Sequence, residues 1–114
     1  MRNMSFSMTT GAFTRKEKRV TRRMGWVNLQ PGEHLMGVQK CRGLKRGEKV
    51  RRIHAIVVIN VRREPVSAIA LEEDGTAKEG FPDMTAEEFI DMFCRHNKCG
   101  PDEIITRIEF DYED

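Results

Sequence analysis

Residues 16–23 read KEKRVTRR, and the wider segment 14–23, TRKEKRVTRR, carries six basic side chains and one acid. Gly25-Trp26 follows directly, then the turn Gln30-Pro31-Gly32-Glu33, where proline presets φ and glycine is free to take φ > 0. Further out the charge divides the chain in two. Residues 1–63 hold 16 Lys+Arg and 3 Asp+Glu, a balance of +13, whereas residues 64–114 hold 4 and 15, a balance of −11. The net of +2 hides this asymmetry, which points to a polyanionic partner for the first half. The alternative is mutual neutralisation across one folded surface, and part of that is expected in a single domain spanning 1–114.

Hydropathy patterning supplies the elements. Met4, Phe6 and Met8 alternate with Ser5, Ser7 and Thr9, the pattern of a first strand, which Gly11 breaks. Leu35 to Cys41 reads as a strand, and 43–47 as a basic loop or hairpin tip. Arg52 to Val61 is the strongest strand; its continuous apolar centre predicts burial on both faces, and Pro65 ends it. A short helix or helical turn falls within 66–78. Thr85-Ala86-Glu87-Glu88 fits a capping box, and Ala86, Phe89, Ile90 and Phe93 line one face of the helix it opens, which Cys99-Gly100-Pro101 stops. Ile104 to Tyr112 closes the chain as a strand. Short strands with irregularly placed helices predict an α+β fold, a small barrel or a sheet with helices at one side.

At 114 residues, 39% hydrophobic and 33% charged, the chain suits one soluble globular domain. No apolar run approaches the ~20 residues that span a bilayer, and the N-terminus lacks a signal-peptide pattern, so a cytoplasmic protein without membrane attachment is expected. Cys41, Cys94 and Cys99 are an odd count, which argues against a disulfide framework. Cys94-x-His96-x-x-Cys99 lacks the second ligand pair of a structural zinc site, so neither metal nor other cofactor is expected.

The chemistry concentrates at Lys18, Thr21 and Arg23. Lys18 and Thr21 share a side on a helical turn and face opposite ways in a strand. A lysine among Lys16, Arg19, Arg22 and Arg23 has its charged form disfavoured, which suits a base or nucleophile. Thr21 supplies a hydroxyl, and Arg23 a planar fork for phosphate or carbonyl. The bland reading of the same run is a solvated basic face. Trp26 either stacks on a base or packs on the barrel edge. Phe81 is either a pocket wall or a plug before the helix. Lys40, Arg42, Lys45, Arg46, Lys49, Arg51 and Arg52 form a second basic cluster, whose interspersed Gly43 and Gly47 permit close phosphate approach.

The segment KEKRVTRR, with Gly25-Trp26, Pro31-Gly32, Glu79-Gly80-Phe81 and the final Arg107-Ile108-Glu109-Phe110, resembles the ASCH family along nearly the whole chain. The family's signature is Gly-x-Lys-x-x-x-x-Arg; Lys18 and Arg23 match it, and Lys16 stands where the family has glycine. The resemblance implies a small PUA-like β-barrel with flanking helices around a cleft that takes RNA or a nucleoside ligand. For that binding role the residue reading nominates Lys16, Arg22, Arg23, Trp26, Lys40, Lys45, Arg46 and Phe81. In the family's amidohydrolase branch, which removes the acetyl group of N4-acetylcytidine, the working residues fall on Lys18, Thr21 and Glu79. Glu79 then shuttles a proton, accepts from a ligand amine or partners Arg23. One branch of the family is described as a ribonuclease; here His34, His54 and His96 lie far apart in sequence. A third class of function is an interaction protein docking a basic partner on the acidic segment 102–114.

Overall fold

The computed structural model describes residues 1–40 and 43–114. The chain runs β1 (Arg2–Ser5), α1 (Thr10–Thr14), β2 (Val20–Arg23), β3 (His34–Val38), β4 (Arg52–Pro65), a 3-10 helix (Val66–Leu71), α2 (Gly75–Lys78), α3 (Ala86–Asn97) and β5 (Ile104–Tyr112). The strands form one curled sheet ordered β1-β3-β4-β5-β2. Among the described residues only β1 and β3 pair in parallel; β3–β4, β4–β5 and β5–β2 are antiparallel. The result is the expected α+β fold, a half-barrel with helices flanking it.

Two apolar clusters hold it. The first fills the curl with Met4, Phe6, Phe13, Leu35, Ile56 and Phe110 among others. Close approach of the backbone makes this possible at Gly37, because a Cβ there would lie 2.1 Å from Phe13 Cζ. Phe13 instead lies flat on Phe6, ring centroids 3.9 Å apart. The second cluster packs Phe89 and Phe93 of α3 on Val66, Ile69 and Ile105. The capping box forms as its sequence predicts: Glu88 N–H donates to Thr85 Oγ1 at 3.1 Å, and Thr85 N–H to Glu88 Oε1 at 2.9 Å. Helix α3 ends at Asn97, with Lys98 in the left-handed conformation.

Three elements differ from their sequence reading. The first strand ends at Ser5, because Thr9 N–H and the Thr10 hydroxyl both donate to the Phe6 carbonyl and turn the chain into α1. Met8 is consequently exposed. Strand β4 is not buried on both faces: Ile56 and Val58 are buried, but Ile59 is 49% exposed. Ile59 is the extra residue of a bulge, with Val58 opposite Phe110 and Asn60 opposite Glu109. Strand β3 ends at Val38; the rest of its predicted length runs to Cys41, which with Arg42 lies outside the described residues.

Candidate functional site: a buried lysine–glutamate pair under a cavity

Lys16 starts the construction of the site. Its φ of +61° puts it in the left-handed region that glycine enters most easily, and it stands at the signature's glycine position. The chain then extends into β2. Arg19 N–H donates to the Lys78 carbonyl at 2.8 Å, which docks the end of α2 beside the entry to β2. The Tyr112 hydroxyl donates to the Lys18 carbonyl at 2.6 Å and fixes that backbone from β5. Gly80, at φ +96°, lies where a Cβ would meet Ala12 Cβ at 3.0 Å, so the segment after α2 passes close to the Lys18 side.

Lys18 and Glu79 thereby meet across 61 positions, 2% and 3% exposed. Lys18 Nζ donates to the Glu79 carbonyl at 2.6 Å and to its Oε1 at 2.9 Å. Arg22 donates to the other carboxylate oxygen, Oε2, at 3.0 Å. Burial pushes the Lys18 pKa below that of an ordinary lysine; the Glu79 charge and hydrogen bond oppose this, and Arg23 and Arg22 add to the lowering. The like-charge cause expected from the sequence is thus secondary to desolvation. Thr21 is buried, and its Oγ1 accepts from Arg23 Nε at 2.9 Å. Arg23 also lies 4.9 Å over the Phe6 ring. Lys18 and Thr21 reach one cavity without a helical turn, because Lys18 precedes the regular strand.

That cavity measures about 370 Å³. Lys18, Thr21, Arg22, Arg23 and Glu79 form its polar side. Phe81 and the α3 residues Phe89, Met92 and Phe93 form an apolar wall. Ser5 at the end of β1, and Ser7 and Thr9 from the turn after it, add hydroxyls, and His96 and Asn97 stand at the end of α3. The sequence reading missed these last two groups. A signal for His96 existed: it lies three residues after Phe93 and seven after Phe89, on the same helix face.

The other expected binding residues are placed elsewhere or differently. Arg22 lines the cavity, with its guanidinium buried in an ion-pair network. It contacts Glu72 at 2.9 Å and Glu64 at 3.4 Å besides Glu79. Lys16 pairs with Asp114. Trp26 packs against the first core cluster with Arg2 over its ring, which is the barrel-edge alternative; it does not line the cavity. Lys40 pairs with Glu48 at 3.5 Å. Lys45 and Arg46 are exposed in the β3–β4 loop, outside the cavity lining. Cys94 and Cys99 pack against the second cluster and His96 lines the cavity; among the described residues no three or more His, Cys, Asp or Glu side chains are grouped to hold a metal ion. Of the histidines only His96 lines the cavity; His34 contacts Glu113, and His54 contacts Asp114 and the Thr14 carbonyl.

No family model matches the sequence, and no curated protein does. Solved structures do match. Protein EF3133 of Enterococcus faecalis, of the family DUF984, superposes with a TM-score of 0.66 at 14% identity, over 99% of this chain and 76% of that one. An ASCH domain from Lactobacillus crispatus superposes with a TM-score of 0.54 at 15% identity, over 97% of this chain and 78% of that one. The chain has the ASCH fold. Within that fold, the buried Lys18–Glu79 pair joins the residues just before β2 to the segment after α2. Among the described residues no helix is long and apolar enough to cross a membrane.

Proposed function

We propose that residues 1–114 act as one ASCH-type unit, in the cytoplasm, whose cavity takes a single modified nucleobase or nucleoside. The observation carrying this reading is that the buried Lys18–Glu79 pair and the aromatic residues Phe81, Phe89 and Phe93 line the same cavity. A planar heterocycle needs both: π-faces or apolar surface for its ring, and a few convergent donors and acceptors for its edge. Arg23 and Thr21 supply further polar contacts, and about 370 Å³ is the scale of a small-ligand pocket. A track for RNA is less well supported, because Lys16 and Lys40 are paired with acids and Lys45 and Arg46 stand off the cavity. Calorimetric titration with N4-acetylcytidine, with cytidine and with a short single-stranded RNA separates the two. The expected result is one-to-one nucleoside binding that changes little with salt. Binding of the RNA alone, weakening steeply with salt, would replace this reading with backbone recognition; no nucleoside binding at millimolar concentration would remove it.

A second reading is hydrolysis of the N4-acyl amide, favoured by a lysine whose pKa burial has lowered. Neutral Lys18 takes the proton of the Thr21 hydroxyl or of a water, whose oxygen attacks the acyl carbon. The Lys18 ammonium passes a proton along its 2.9 Å hydrogen bond to Glu79. Glu79 delivers it to N4 as the C–N bond breaks and cytidine leaves; after attack by water this step also releases acetate, whereas after attack by Thr21 a water then hydrolyses the acyl-threonine ester to acetate and restores the hydroxyl. An absorbance assay tests it: turnover in the wild type, and none in Lys18→Ala or Glu79→Ala. Wild-type rates in those variants would exclude these roles.

A further inference from the structure

The Arg22 guanidinium has a side chain with 0% exposure and touches three carboxylates from three elements: Glu79 after α2, Glu72 after the 3-10 helix and Glu64 on β4. Glu72 is itself anchored by Arg107 of β5, at 2.7 and 3.1 Å, and by Arg62 at 3.1 Å. Arg22 Nε is buried without a hydrogen-bond partner, although its other two nitrogens both donate to carboxylates. A buried unsatisfied donor is costly, so the position is accounted for by what the cation does to its neighbours rather than by its own satisfaction. The signature arginine is Arg23, so this role is separate from the matched motif.

We propose that Arg22 is a positioning residue: by tying Glu79 Oε2 to the Glu72–Arg107 anchor, it aims Oε1 at Lys18 and keeps the carboxylate from giving its full charge to the lysine. The consequence is a lysine more easily neutralised than one in a simple pair. The groups facing Lys18 are Glu79, Arg22 and Arg23, with Glu64, Glu72 and Arg107 behind Arg22 and His96 across the cavity. The idea deepens the nucleobase reading, which rests on the same pair, but it is testable without any ligand.

The experiment is NMR titration of the ε-carbon of Lys18, in the 1–114 protein with labelled lysine, the signal being assigned from its loss in Lys18→Ala. Arg22→Met removes the cation and leaves the three acids. Its Lys18 titration is expected to rise by about one pH unit or more. Arg22→Lys keeps the charge but not the fork, and is expected to restore most of the wild-type value. Glu72→Gln, outside the cavity lining, removes a negative charge from the anchor and leaves Arg107 with Glu109, so the Lys18 shift is expected downward. Opposite shifts in Arg22→Met and Glu72→Gln distinguish this role from a merely structural one, which would lower stability without moving the titration. If Arg22→Met fails to fold, Glu72→Gln carries the test. An unmoved Lys18 titration across the folded variants overturns the proposal. Adding N4-acetylcytidine to the same samples keeps the questions apart: shifted titrations without nucleoside binding would sink the nucleobase reading and leave the Arg22 role standing.

Discussion

Replacing Glu79 with glutamine asks whether charge holds the site together. Glu79→Gln keeps the shape but leaves Lys18 and Arg22 buried against a neutral amide. At 2.9 and 3.0 Å, each contact carries about 5–6 kcal/mol of Coulomb energy at an effective dielectric of ~20. Arg22 retains Glu72 and Glu64, so the heavier loss falls on Lys18. Lysine has an escape that arginine lacks, because it can shed its proton. From an ordinary pKa of ~10.4, deprotonation at pH 7 costs about 4.6 kcal/mol. That is less than the lost attraction, so it caps the damage, within the ~3–5 kcal/mol usual for removing one partner of a buried pair. At pH 9.5 the same escape costs only about 1.2 kcal/mol. Urea unfolding of both proteins should therefore show a gap of about 4 kcal/mol at pH 7 that narrows by about 3 kcal/mol at pH 9.5. The sign follows from burial. The folded pKa of Lys18 lies below its unfolded value, so between the two the unfolded chain binds more protons and stability rises with pH. The variant, lacking the carboxylate that retains the proton, enters that window at lower pH. A gap that is the same at both pH values would refute the reasoning, since it would mean that Lys18 is already neutral in the wild type or that charge contributes little.

Three further outcomes are expected. Gly37→Ala drives a methyl into the Phe13 ring and within 3.1 Å of the His54 carbonyl oxygen; calorimetry should show a loss of about 1–3 kcal/mol or more, and an unaltered melting temperature would contradict the packing. Lys16→Gly relieves a left-handed residue, a conformation costing ~1–2 kcal/mol, against the lost exposed pair and glycine's unfolded-state entropy. Its stability should fall between wild type and a gain of about 1 kcal/mol, and a clear loss in urea unfolding would count against that account. Tyr112→Phe strips the hydrogen bond from the Lys18 carbonyl and should cost about 1–3 kcal/mol. Burial raises the Tyr112 pKa, so in the wild type this group lowers stability as pH climbs beyond ~10. Alkaline denaturation of the phenylalanine protein should lack that component.

Local chemistry was readable along the chain and long-range chemistry was not. The Thr85–Glu88 box and the stop at Pro65 are set by neighbours within four residues, so the pattern and the coordinates agree. The alternation at Met4–Thr9 is equally local but yields to hydroxyl and amide bonds to one carbonyl, at Phe6. The apolar run of β4 overstates burial, because periodicity cannot tell a covered face from a bulge. Lys18 and Glu79 were linked only through family likeness, since nothing in their spacing says that 61 positions close into a 2.9 Å contact. The network of Arg22, Glu64, Glu72 and Arg107 was invisible: a basic run looks the same in sequence whether water or carboxylates surround it, and the opposing acids belong to the other half of the chain. The charge asymmetry is partly resolved inside the molecule by these pairs.

The bulge at Ile59 has a wider reach than its exposure suggests. Strands β1 and β2 are the outer margins of the sheet, and both contribute to one recess. The span between those margins depends on how tightly β4 and β5 roll, and one surplus residue sharpens that roll. Aperture is thus gauged within the sheet, by residue count rather than by a side chain that lines the recess. Two chains with identical polar residues but a different count at this point would admit guests of different girth.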